Sequence, residues 1–156
     1  MSSNFIQQTP PKPTAIRTLS MKEQATFTAQ VEKEVARIMS ELNRLWECKP
    51  KMVNPHPMSV ADSYMLYRQP SIKQREFHPE IGVAAFVTEE QIDHRTSDPQ
   101  IRYELYVLTA GSEKAERKAE DHGYSREGGA FLTILEIDAE CIVIKTKNGK
   151  KRISFH

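Results

Sequence analysis

Hydrophobic and polar positions along this chain follow two different periods, and the change from one to the other divides it. From Ser20 to Lys49, Val31, Val35, Ile38, Leu42 and Leu45 recur at spacings of four and three, with Met39 and Trp46 widening the stripe. That spacing predicts a helix with one buried face. Ser20 with Glu23 three residues later forms a capping box, and Pro50 cannot continue the helix, so both ends are marked. Upstream of Val31 the equivalent positions are Gln24 and Thr28, so the first turns are expected to project past the core. The widened stripe and the small number of heptads favour packing across a sheet over a coiled-coil dimer.

Beyond residue 80 the period changes to two. Val83 to Val87 is apolar on both faces, as in an interior strand, and Thr88 is placed to cap one helical turn after it. Gln100 to Thr109 alternates, with Ile101, Tyr103, Leu105 and Val107 on one face and Arg102 and Glu104 on the other. Phe131 to Ile137 and Cys141 to Ile144 are apolar runs, and Lys150 to Phe155 is a short return. Between the second and third of these strands, Glu113 and Arg117 have helical spacing with only Ala115 and Ala119 as an apolar side. A solvated, polar helical insertion is expected there. Ser71 to Glu80 shows no clear period and reads as a loop or irregular edge. Ser59 with Asp62 is a second capping box, predicting a short helix to about Arg68.

Asn148-Gly149 between the last two runs is a strong hairpin signal, because a two-residue type I′ turn needs positive φ at both central positions. The register that follows sets Lys147 opposite Lys150, Lys145 opposite Arg152, Ile144 opposite Ile153 and Ile142 opposite Phe155. Ile142, Ile144, Ile153 and Phe155 then share the core face, and Lys145, Lys147, Lys150 and Arg152 gather on the other as two opposed like-charge pairs. The expected fold class is α+β: a long N-terminal helix packed on a mainly antiparallel five-stranded sheet ending in a β-hairpin. This element order is similar to that of NTF2-like or VirB8-like domains, an analogy that carries no function. Residues 1–17, with Ser, Gln, Thr and three prolines, read as a flexible N-terminal arm. Phe5, Ile6 and Pro10-Pro11-Lys12-Pro13 are the arm's one candidate docking peptide. Residues 18–156 read as a single domain.

Composition changes this picture little. A chain of 156 residues with 38% hydrophobic and 28% charged residues suits one soluble domain. The net charge of +1 conceals a local imbalance, since residues 145 to 152 contain five basic and no acidic residues. Cys48 and Cys141 have no CxxC or Cys/His spacing, which argues against a disulfide framework or a zinc ribbon and for a reducing, cytoplasmic setting. Neither a signal peptide nor a membrane span is expected, since the N-terminus lacks a basic-then-apolar run and no apolar stretch approaches the roughly 18 residues a span requires.

Candidate chemistry is sparse. His56-Pro57, Ser59 and Asp62 are similar to part of the ligand run of JAMM-type metalloproteases, but Asn54 stands where that motif has a second histidine, and the upstream glutamate is missing. His78, Asp93, His94 and Asp98 are the densest group of acid/base or ligand residues, and a small metal-dependent hydrolase would have to use them. No spacing fixes their geometry, so no catalytic residue, metal site or cofactor is assigned. The expected function is that of a non-catalytic accessory protein. It docks on an acidic macromolecular partner, a protein in the first instance, through Lys145, Lys147, Lys150, Lys151 and Arg152. The alternative is a nucleic-acid-binding accessory protein in which the same cations neutralise phosphates, with a log-log salt slope of about −4 on duplex DNA. No aromatic residue is interleaved among them to stack bases. A third possibility is that these lysines only protect a sheet edge from pairing with other chains.

Overall fold

The computed structural model describes residues 18–49, 68–93, 98–127 and 131–155. The proline-containing arm, the second capping box with its short helix, and His94 lie outside the described residues. The chain is α+β, with one helix and two antiparallel sheets. Helix α1 spans Met21–Cys48, and its capping box is formed as the sequence predicts. Ser20 Oγ accepts from the Glu23 N–H at 3.1 Å, and Glu23 Oε1 accepts from the Ser20 N–H at 2.9 Å.

Strands β1 (Ser71–His78), β2 (Val83–Gln91), β3 (Gln100–Thr109) and β4 (Glu116–Tyr124) pair in sequence order as a four-stranded meander. Strands β5 (Leu132–Ile137), β6 (Cys141–Thr146) and β7 (Gly149–Ser154) form a separate three-stranded meander. The expected single sheet of five strands is therefore replaced by two sheets. The reason lies in β2, which is buried on both faces. Ala84 and Phe86 pack with Phe27, Val31, Ile38, Leu42 and Leu108 beneath the helix. Val83, Ala85 and Val87 pack on the other side with Leu132, Ile134, Ile142 and Ile144 of the second sheet. A sheet with two apolar faces needs two covers, and one helix supplies only one.

The helix begins packing earlier than the sequence predicts. Leu19 and Phe27 are buried, and Phe27 stacks on Phe77 of β1 at 6.1 Å, so the first turns do not project past the core. At the other end Leu45 is exposed. Each fully buried Leu, Ile or Phe in these two layers contributes about 1.5–3 kcal/mol relative to leaving it in water.

Two further expectations are corrected and one is narrowed. Residues 116–124 form edge strand β4, not a helix. Ala119 and Asp121 oppose Leu105 and Tyr103, and a bulge at Lys118 lets Arg117 pair with Tyr106. The Glu113–Arg117 spacing loses to strand pairing because a helix there would have no apolar stripe to bury. Residues 71–78, expected as a loop or irregular edge, form an edge strand made irregular by a bulge at Lys73. In place of a helical turn after Thr88, β2 continues to Gln91, because its polar end finds partners: Glu89 accepts from Tyr103 Oη at 2.9 Å and Glu90 from Arg102 at 2.7 Å.

Candidate functional site

The terminal hairpin is present, but its register differs from the expected one. Thr146 pairs with Gly149, Lys145 with Lys150, Ile144 with Lys151, Val143 with Arg152 and Ile142 with Ile153. The connecting residues are thus Lys147 and Asn148, not Asn148 and Gly149. Neither Lys147 nor Asn148 has positive φ, whereas Gly149 sits at +110°. Two side chains account for the shift. Thr146 Oγ1 accepts from the Asn148 N–H at 3.1 Å and donates to the Gly149 carbonyl at 3.2 Å. Asp121 of β4 accepts from the Lys147 N–H at 3.0 Å. The two central N–H groups are therefore satisfied by side chains, which stabilises this turn without the primed geometry.

The slip moves each pair by two in the sum of residue numbers, so the faces are conserved while the partners change. Lys145, Lys150 and Arg152 remain on the outer face, and the two expected like-charge pairs become one, Lys145 against Lys150. Arg152 now stands opposite Val143 and donates through Nη1 to Cys141 Sγ at 2.8 Å. Glu136 of β5, opposite Val143, shares this face. Lys151 opposes the buried Ile144 yet is itself exposed at the rim. Lys145, Lys150 and Lys151 make no ion pair among the described residues.

Lys147 is differently placed. Its Nζ donates to the His122 carbonyl at 2.6 Å, lies 3.8 Å from Asp121 and sits 5.8 Å from the centre of the Phe131 ring. It anchors the hairpin tip to β4. Asp121, buried and accepting from both Lys147 and His122, is the receptor for that tip. Nothing in the sequence singles it out from the charged run around it.

His78, Asp93 and Asp98 do not converge. His78 opposes Val83 at one end of β2, and Asp93 lies two residues beyond Gln91, the other end, which is about 26 Å away along the strand. His78 lies 3.6 Å from Glu76 and 3.8 Å from Glu80. Asp93 accepts from the Gln100 N–H at 3.1 Å. Asp98, at φ 53°, accepts from the Arg126 N–H at 2.7 Å and pairs with the Arg126 guanidinium. Burial raises its carboxyl's pKa, and the Arg126 contacts outweigh that and hold it below its ordinary value. Among the described residues no three His, Cys, Asp or Glu side chains are grouped closely enough to hold a metal ion. Cys48 and Cys141 are free thiols.

The described residues also line concavities away from the hairpin strands. A groove of about 330 Å³ lies between the start of α1 and the β3–β4 turn, floored by Leu19 and Phe27 and rimmed by Lys22, Gln30 and Gly111. A smaller depression of about 180 Å³ brings Arg68, Lys73 and Glu89 beside Tyr103 and Phe131. Burial and then the hydrogen bond to Glu89 raise the Tyr103 pKa, so its hydroxyl is a donor there, already used by Glu89. No helix among the described residues is long and apolar enough to cross a membrane.

Comparison of the chain with models of known protein families, with characterised proteins and with solved structures finds no match.

Proposed function

We propose that this protein is a non-catalytic accessory protein that docks on an acidic surface of a macromolecular partner through the outer face of its terminal hairpin. The observation that carries the reading is the opposed pair Lys145 and Lys150, exposed on the outer face of adjacent strands without an ion pair among the described residues, with Lys151 exposed beside them from the other side of β7. Opposed like charges at Lys145 and Lys150 lower hairpin stability by roughly a few tenths of a kcal/mol, a cost that a partner's carboxylates would offset. Arg152 extends the basic surface along β7, and two carboxylates lie on the same side of the sheet, Glu136 opposite Val143 and Asp138 beside Cys141. Lys147 contributes by holding the hairpin tip against β4, since its ammonium already lies against Asp121 and His122. A protein partner is favoured over nucleic acid because the uncharged residues paired on the face, Thr133, Cys141, Val143 and Ser154, include no aromatic ring to stack a base. The cytoplasmic setting rests on the two free cysteines.

The test compares wild type with Lys145→Glu/Lys150→Glu in capture of partners from nuclease-treated lysate of the native source. Wild type should retain an acidic protein that is released by salt, and the double variant should not, while its unfolding midpoint stays at or above that of wild type. Equal capture by the variant would leave these lysines as edge protection only. Loss of all capture on nuclease treatment would favour the nucleic-acid alternative.

A further inference from the structure

We propose that β7 is an acceptor edge for strand addition, on which an acidic, extended segment of the partner pairs as a fourth strand of the second sheet. This rests on the docking function proposed above and names how the partner is held. Among the described residues each of the two sheets leaves two edges, and three of the four are obstructed. At β5, the Gln74 side chain occupies both backbone groups of Ile134, donating to its carbonyl at 3.0 Å and accepting from its N–H at 2.8 Å. At β4, the hairpin tip is bonded to Asp121 and to the His122 carbonyl. At β1, the bulge at Lys73 interrupts the register. Strand β7 pairs with β6 over six residues without a bulge, and five of its six residues are exposed.

The alternation of the ladder decides which backbone groups face outward. Phe155 N–H donates to the Glu140 carbonyl at 3.0 Å, so 140 and 155 are a hydrogen-bonded pair. Counting along the register, Ile142 with Ile153, Ile144 with Lys151 and Thr146 with Gly149 are hydrogen-bonded in turn. The N–H and C=O groups of Lys150 and Arg152 consequently point away from β6, and among the described residues their backbones make no bond outside that ladder. These two residues also carry their side chains on the outer face. One segment of β7 therefore offers open main-chain groups and, two residues apart, two cations.

That combination selects its occupant. A strand added here places alternate side chains beside Lys150 and Arg152, so carboxylates at positions i and i+2 would meet them, with Lys151 accessible from the opposite face. A second copy of β7 would instead bring Lys150 and Arg152 against the same cations, which disfavours self-pairing.

The experiment uses the full-length protein and three synthetic peptides of equal net charge. One alternates Glu with Thr, one carries the same sequence with N-methyl groups on alternate residues, and one has its Glu residues in a single block. Binding is followed by amide chemical shifts and amide exchange. The alternating peptide should shift and protect the Lys150 and Arg152 amides, and N-methylation of the residues facing β7 should weaken binding at least tenfold. Arg152→Pro removes one outward donor and should weaken binding beyond Arg152→Gln, which removes the same charge. Equal affinity of the N-methylated peptide, with binding still lost in Lys145→Glu/Lys150→Glu, overturns strand addition and leaves electrostatic docking standing. Binding unaffected by that charge reversal overturns both. Absence of binding by the alternating peptide at millimolar concentration, or β7 shifts that follow protein concentration alone, also overturns the proposal.

Discussion

Gln74 completes the edge of β5 as a backbone would: its side-chain amide both donates to and accepts from the main chain of Ile134, 60 residues away, across the gap between the two sheets. The bulge at Lys73 makes this possible by turning Gln74 to the face it shares with Val87. The bulge between Ile134 and Glu136 lies beside the same contact.

Replacing Gln74 by Ala leaves a partly buried N–H and C=O without these partners. Each unsatisfied group costs about 1–3 kcal/mol, so Gln74→Ala should lower the unfolding free energy in urea by at least that range's lower end. Amide exchange at Ile134 should quicken selectively. An unchanged exchange rate at Ile134 would show that the edge is not held by this side chain.

Glu34 ties α1 to the β3–β4 connection. Its carboxylate, 3% exposed, accepts from the Ala115 N–H at 2.8 Å and from Arg37 at 2.8 and 3.0 Å. The Arg37 hydrogen bonds hold its pKa below the ordinary 4.5, against the opposing effect of burial and with help from the Ala115 N–H. A folded value below the unfolded one means that the contribution is complete above the unfolded pKa and is lost as pH falls through the folded pKa. Glu34→Gln should therefore flatten the acid limb of the stability profile below about pH 5. Glu34→Ala, which strands the Ala115 N–H, should cost about 1–3 kcal/mol at neutral pH.

The Asp121–Lys147 contact is asymmetric. Asp121 is buried and accepts from two backbone N–H groups, whereas the Lys147 side chain is 40% exposed. Asp121→Ala should destabilise by about 1–3 kcal/mol, and Lys147→Ala by about 0–1 kcal/mol. Denaturant titrations that reverse this order would remove Asp121 from its role as receptor of the hairpin tip.

Gly82 turns β1 into β2 at φ +69°, and a Cβ there would meet Ala110 Cβ at 2.6 Å and Leu19 Cδ1 at 2.9 Å. Both the conformation and the contact oppose a side chain. Gly82→Ala should lose more than about 1 kcal/mol, and a stability within error of wild type would contradict the packing described at this corner.

Local pattern alone determined α1 with its capping box, strands β2, β3, β5 and β6, and the presence of a terminal hairpin. In each, period and end signals agree within a dozen or so neighbouring residues, and the buried face is apolar enough to need no distant partner to define it. Tertiary structure decided the rest. Strand β4 is charged on most positions and takes its conformation from pairing with β3. The sheet was divided because β2 presents two apolar faces, which requires a second cover that no local signal specifies. The hairpin turn was moved by Asp121, distant in sequence, whose carboxylate satisfies Lys147 where the Asn-Gly pair alone favours a different turn. Lys147 is thereby tied to β4, while Lys145 lies on β6 and Lys150, Lys151 and Arg152 on β7, an edge strand of the second sheet among the described residues. Side-chain hydrogen bonds between segments far apart in the chain decide such outcomes, and their energies of about 1–3 kcal/mol exceed the few tenths that separate alternative turns.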